Sequence, residues 1–161
     1  MSRIVTAERK ELIARVLAAG RENGTRSILF LQTVGQILGL SAAEMKCLDL
    51  IAHSGPAGPS QLAELTGLTT GAVTVLIDRL EKARLIERKA DPHDRRRTFL
   101  MPTQRARKTI PPFYASMGKA LALLASGYSN RELEILEDFF EKAADVFKKE
   151  TAKLRMSREK A

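Results

Sequence analysis

Residues 59–101 hold the pattern that most restricts what this chain can fold into. Two short helical segments, about Pro59–Thr66 and Thr70–Ala83, are separated only by Gly67-Leu68-Thr69. Two strand-like segments follow, about Leu85–Ala90 and Thr98–Met101, with Asp91-Pro92-His93-Asp94-Arg95-Arg96-Arg97 between them. Helices this short are not stable alone and must bury an apolar face against neighbours. A three-residue turn makes the two helices each other's first neighbour. Helix, turn, helix and hairpin in this order predict a winged helix-turn-helix within a mainly α fold whose β content is one small hairpin wing.

The faces of these segments can be read from their periodicity. Leu62, Ala63 and Leu65 are expected to face inward from the first helix, with Gly67 making the turn, Leu68 plugging it and Thr69 capping the second helix. Val73, Leu76, Ile77 and Leu80 fall at i, i+3, i+4 and i+7, one stripe that pins the second helix to a core. The opposite side presents Thr70, Gly71, Thr74, Val75, Asp78 and Lys82. Its N-terminal part is small and uncharged, which lets a backbone approach a major groove, where Thr hydroxyls reach base edges and Thr or Val methyls meet the thymine methyl. Arg79, Lys82 and Arg84 suit phosphates, which fix register without reading sequence. At the hairpin tip Asp91-Pro92 favours a turn, and Asp94 can hold a neighbouring arginine by a charge-assisted bond. The remainder of Arg95, Arg96 and Arg97 is then free for a narrow minor groove. The expected partner is double-stranded DNA.

The flanking sequence is helical. Residues 6–38 carry Leu12, Ile13, Val16, Leu17, Ile28, Leu31, Val34, Ile37 and Leu38 at helical spacing, and Gly20 and Gly24 leave room for a kink or break. Ser41 with Glu44 is a capping box opening a helix over Ala42–His53, with Leu48, Ile51 and Ala52 inward. Pro59 suits the first position of its helix. A helix over Thr103–Ala125 should be kinked or divided by Pro111-Pro112. Ser129 with Glu132 is a second capping box, opening a helix over Asn130–Leu154 ahead of a frayed end at 155–161. On that last helix Leu133, Leu136, Phe140, Ala143, Phe147 and Leu154 form one stripe, and Ile135, Phe139 and Val146 a second. Two stripes suit either a core helix or a helix shared with a second subunit.

Composition narrows the class. A length of 161 residues suits one domain with or without an oligomerisation element. A net charge of +8 and a pI of about 9.9 favour an anionic partner, nucleic acid or an anionic membrane. The single cysteine, Cys47, allows no internal disulfide and fits a reducing compartment. No signal-peptide core can be placed in Met1-Ser2-Arg3-Ile4-Val5-Thr6 before Glu8, Arg9, Lys10 and Glu11. Apolar runs such as Ala120–Ala125 fall far below the roughly 20 residues that span a bilayer. The expectation is a cytoplasmic protein with no membrane partner.

The run Leu62-Ala63-Glu64-Leu65-Thr66-Gly67-Leu68, then Val73-Thr74 and Ile77-Asp78-Arg79-Leu80-Glu81-Lys82-Ala83, then Leu85-Ile86-Glu87-Arg88, then Asp91-Pro92-His93-Asp94-Arg95-Arg96 resembles the MarR family of bacterial transcription regulators. The likeness is densest over residues 41–103. It implies a winged-helix homodimer, with residues 41–102 as the DNA-binding part and 1–40 with 103–161 interleaved as a helical dimerisation region. Its DNA-binding residues would be Thr69, Thr70, Gly71, Thr74, Val75, Arg79, Lys82, Asp94, Arg95, Arg96 and Arg97. Its dimer interface would include Leu12, Val16, Leu133, Leu136, Phe140 and Phe147. It also implies palindromic operators, repression as the commoner mode, and release of DNA when a small aromatic or anionic effector enters a cleft; Phe30, Cys47, Phe113 and Tyr114 are the candidate lining. Some such proteins sense oxidants through cysteine. This chain departs from the pattern at Thr70 and Val75, where arginine or another polar residue is common, at Arg84, where a helix-ending glycine is common, and at Ala106, where glycine is often found.

Each candidate site has a plainer reading. Cys47 suits a small buried hydrophobe; a redox role, aided by Lys46 lowering its pKa, is the alternative. Phe30, Phe113 and Tyr114 suit core packing as well as a cleft. His53 and His93 make no zinc spacing with Cys47, so no metal and no cofactor is expected. There is no Gly-rich phosphate loop, nucleophile elbow or His/Glu metal motif, which argues against an enzyme. A winged-helix protein-interaction module without specific DNA binding stands as the second class of function.

Overall fold

The computed structural model describes residues 6–53, 58–90 and 98–159. The hairpin tip, with His93, Asp94, Arg95, Arg96 and Arg97, lies outside the described residues, as does the loop 54–57. The chain forms two compact units, residues 1–111 and 112–161.

The first unit begins with a long helix, α1 (Ala7–Leu38), capped by Thr6, whose side chain accepts from the Arg9 amide. α1 runs unbroken through Gly20 and Gly24, where the sequence leaves room for a kink. A glycine costs a helix up to about 1 kcal/mol but keeps its N–H, so the hydrogen-bond ladder survives. Its buried residues are Val34 and Gly35 alone. A Cβ on Gly35 would sit 2.9 Å from the Leu40 carbonyl oxygen and 3.0 Å from Met45 Cγ, so α1 seats its last turns on the start of α2 (Ala42–His53) where no side chain intervenes. The first capping box is formed: Glu44 Oε2 accepts from the Ser41 amide and hydroxyl at 2.7 Å each, and Ser41 Oγ accepts from the Glu44 amide at 3.3 Å.

α2 buries Glu44, Met45, Cys47, Leu48 and Ile51. Ala52 is exposed, contrary to expectation, because it lies one helical step of about 100° beyond Ile51. α3 (Pro59–Thr66) and α4 (Thr70–Lys82) follow. Leu62 is fully buried, but Leu65 is 47% exposed and Leu68 36% exposed, so neither packs as the sequence predicts. A two-turn helix offers one seam, and Leu62 with Ala63 fills it. Val73, Ile77 and Leu80 are buried and Leu76 partly so, as the stripe predicts.

The hairpin consists of β1 (Ile86–Ala90) and β2 (Thr98–Pro102), antiparallel with Ile86 opposite Pro102 and Arg88 opposite Leu100. Ile86 and Leu100 point into a core shared with Cys47, Leu48, Ile51, Leu62, Val73, Ile77, Leu80, Leu85 and Ala106. Pro111 and Pro112 divide the expected long helix as anticipated, into α5 (Gln104–Thr109) and α6 (Pro111–Ala125).

The second unit comprises α6 and α7 (Asn130–Glu159). The Ser129–Glu132 capping box is formed. α7 continues through the expected frayed end to Glu159, with Lys153 paired to Glu150 at 2.6 Å near its end. No described side chain of this unit is fully buried, and Phe147 is 75% exposed. Among the described residues, no single helix is long and apolar enough to cross a membrane.

Candidate nucleic-acid interface

α3, the Gly67 turn and α4 form the helix-turn-helix. Gly67 sits at φ 71 and its amide donates to the Ala63 carbonyl at 2.8 Å, a left-handed closure open to glycine at little steric cost. Thr69 then accepts from the Ala72 amide at 3.2 Å and starts α4. With Val73, Ile77 and Leu80 held in the core, Thr70, Gly71, Thr74 and Val75 are exposed on the outer side. Val75 is 58% exposed. A Cβ on Gly71 would meet nothing within 4 Å, so packing within the chain does not require glycine there. Thr74 Oγ1 donates to the Thr70 carbonyl at 2.9 Å, leaving its methyl and oxygen lone pairs outward.

α4 ends in a Schellman-type closure with an arginine in the glycine place. Arg84 has φ 58, its amide donates to Glu81 O at 2.8 Å, and the Leu85 amide donates to Leu80 O at 2.9 Å. Thr103 Oγ1 donates to the Arg84 carbonyl at 2.7 Å, tying this turn to the end of the hairpin. Lys82 is exposed.

Among the described residues, three ion pairs made by two arginines connect α4 to its neighbours. Arg88 on β1 places Nη2 2.7 Å from Asp78 Oδ1 and Nη1 3.3 Å from Glu81 Oε2. The two-residue period of a strand puts Arg88 on the same face as Ile86 and opposite Leu100, and that is the face turned towards α4. On the other flank, Arg79 Nε lies 2.9 Å from Glu44 Oε1. Sequence reasoning placed Arg79 and Asp78 on the outer side but found neither partner. Burial alone would raise the Glu44 carboxyl; the hydrogen bonds from Ser41 and the Arg79 charge outweigh it and hold the group below its ordinary value.

Cys47 is fully buried. Burial first, and then the nearby Glu44 charge, push its thiol up, the opposite of the expected effect of Lys46, which instead points outward and pairs with Asp49 at 3.2 Å. Phe30 and Cys47 belong to the first unit and Phe113 and Tyr114 to the second; all three aromatics are partly buried. Of the expected dimer-interface residues, Leu12, Val16, Leu136, Phe140 and Phe147 are exposed in the single chain and Leu133 is partly buried.

The MarR family model matches residues 40–98, the span from the start of α2 to the start of β2. The uncharacterized HTH-type transcriptional regulator YcgE of Bacillus subtilis is 37% identical over 147 residues, which covers 91% of this chain and 96% of that protein. The chain belongs to the MarR family. The fold agrees: the transcriptional regulator Tm0710 of Thermotoga maritima superposes with a TM-score of 0.60 at 24% identity, over 88% of this chain and 98% of that one. Streptococcus pneumoniae FabT, solved in complex with DNA, superposes with a TM-score of 0.60 at 21% identity, over 87% and 98%. Within this MarR chain α4 lies inside the segment that the family model matches.

Proposed function

We propose that this MarR-family chain is a homodimeric regulator of transcription that binds duplex DNA at a palindromic operator, acts as a repressor, and releases DNA when a small aromatic or anionic effector binds. The observation that carries the reading is the face of α4. It is exposed, small and uncharged at Thr70, Gly71, Thr74 and Val75, it is pinned from behind by a full core, and it stands on a chain of net charge +8. FabT, which shares the fold, was solved with DNA, and that supports the same use here. α4 of each subunit enters successive major grooves, roughly 34 Å apart. Arg95, Arg96 and Arg97, read from the sequence, serve the flanking minor grooves. The second subunit covers the apolar side chains left open on α1 and α7, Leu12, Val16, Leu136, Phe140 and Phe147 among them. The effector-contacting candidates read from the sequence are Phe30 and Cys47 in the first unit and Phe113 and Tyr114 in the second, each within its own unit.

The test is fluorescence anisotropy with labelled DNA from upstream of the chain's own coding region, beside a scrambled duplex, at about 50 and 200 mM salt. Tight binding to the native duplex that weakens with salt supports the reading. Absence of binding to either duplex at low salt refutes it in favour of a protein-interaction module.

A further inference from the structure

Among the described residues, Glu44 is the one buried polar or charged side chain, 1% exposed. Its two oxygens have separate partners. Oε2 takes the Ser41 amide and hydroxyl and so completes the cap of α2. Oε1 is left for Arg79 Nε, 2.9 Å away on α4. The Arg79 side chain is 62% exposed, so this ion pair joins a buried carboxylate to a guanidinium that stays open to solvent. Among the described residues the outer nitrogens form no further ion pair. An arginine whose ion pair is made on the Nε side leaves its two Nη groups for another partner, and these can meet a phosphate by a fork of two N–H donors.

We infer that Glu44 is a positioning residue for DNA binding: it fixes Arg79 so that the terminal nitrogens of that guanidinium face a backbone phosphate beside the groove that α4 enters. This rests on the DNA-binding reading above and adds to it a residue that never touches DNA. Holding a flexible arginine in its bound orientation beforehand removes the rotamer entropy that binding would otherwise cost. It also makes the end of α2 part of the reading head, since the same carboxylate caps α2 and aims a side chain of α4.

The inference makes a prediction opposite in sign to simple electrostatics. Glu44→Gln removes a negative charge close to the interface, which by itself strengthens attraction to DNA. Glutamine at this position still completes the capping box, so the fold is retained, and circular dichroism and a melting curve verify that before binding is measured. Positioning by Glu44 requires that Glu44→Gln weaken binding to the labelled upstream duplex, by roughly three- to tenfold, with Arg79→Ala weakening it at least as much. Both variants should flatten the dependence of log affinity on log salt by about one unit, the loss of one phosphate contact. In an Arg79→Ala background, Glu44→Gln should have no further effect, because the cycle isolates the pair. Unchanged or tighter binding by folded Glu44→Gln overturns the inference, as does an equal loss from Glu44→Gln when Arg79 is already alanine. Wild-type protein that binds neither duplex overturns the regulator reading and this inference together. Wild-type binding beside an unaffected Glu44→Gln overturns this inference alone.

Discussion

The Arg88 guanidinium on β1 lies 2.7 Å from the Asp78 carboxylate on α4, and its other arm reaches Glu81 at 3.3 Å. One arginine thus spans α4, the helix proposed to face DNA, and β1 of the hairpin. All three side chains keep solvent contact, so each pair is worth little in stability, about 0.2–1 kcal/mol. What the bridge supplies is a direct link between α4 and β1 outside the core they share. Arg88→Ala should therefore lower stability by no more than about 1 kcal/mol while weakening DNA binding by about tenfold, equivalent to about 1.4 kcal/mol. Urea unfolding and anisotropy on the same variant check the two quantities, and a binding loss no larger than the stability loss would reject the role.

Gly71 should separate folding from function. Nothing in the chain occupies the space its Cβ would take, and alanine is the better helix former. Gly71→Ala should raise stability by up to about 1 kcal/mol and reduce DNA affinity, because the added methyl stands where the backbone approaches the groove. Thermal melts and anisotropy decide it; affinity equal to wild type would place Gly71 away from the DNA.

Arg84 holds φ 58 with a side chain, a conformation that costs an L-residue roughly 1–2 kcal/mol and glycine little. Arg84→Gly should stabilise the chain by about 1 kcal/mol. The measure is the shift in urea midpoint at unchanged slope, and a lower midpoint would contradict the strain argument.

Acid should act through Glu44. Its carboxyl is held below the usual value of 4.5, so in the folded state it keeps its charge to lower pH than in the unfolded chain. A depressed folded value contributes stability that is fully present above the unfolded pKa and is lost as pH falls through the folded one. Wild-type protein should lose stability below about pH 4.5 more steeply than Glu44→Gln, which has no proton to gain there. Urea midpoints from pH 6 to about pH 3 test this, and parallel curves for the two proteins would refute it.

The open apolar side chains of α7 make association measurable. If a second subunit covers them, unfolding is linked to dissociation and the melting temperature rises with protein concentration. Phe147→Glu should weaken the dimer in sedimentation equilibrium, and a variant that remains fully dimeric would exclude Phe147 from the interface.

Much of this architecture is local and was therefore legible. Both capping boxes are set by residues three apart, and the stripe Val73, Ile77, Leu80 by helical period. Pro111-Pro112 divides its helix because proline lacks a donor, whereas Gly20 and Gly24 leave α1 continuous because glycine keeps one. The inward faces of Leu65, Leu68 and Ala52 were misread for a different reason. A short helix has several candidate faces, and the neighbour that chooses among them is not local. The same limit hid the partners of Arg79 and Arg88. By sequence Asp78 and Glu81 are ordinary surface acids and Glu44 a capping residue, and their pairing with arginines depends on how α2, α4 and β1 meet.

Gly35 sets up a different kind of consequence. α1 is fastened through Val34 and Gly35 near one end, and about 40 Å of helix extends from there to Ala7. A tilt of about 5° at that seat moves the far end sideways by roughly 3–4 Å. Run in reverse, a displacement of several ångströms at the N-terminus is geared down to a few degrees at the start of α2. Geometry alone therefore makes the tip of α1 the most sensitive reporter of any change in tilt at the Gly35 seat.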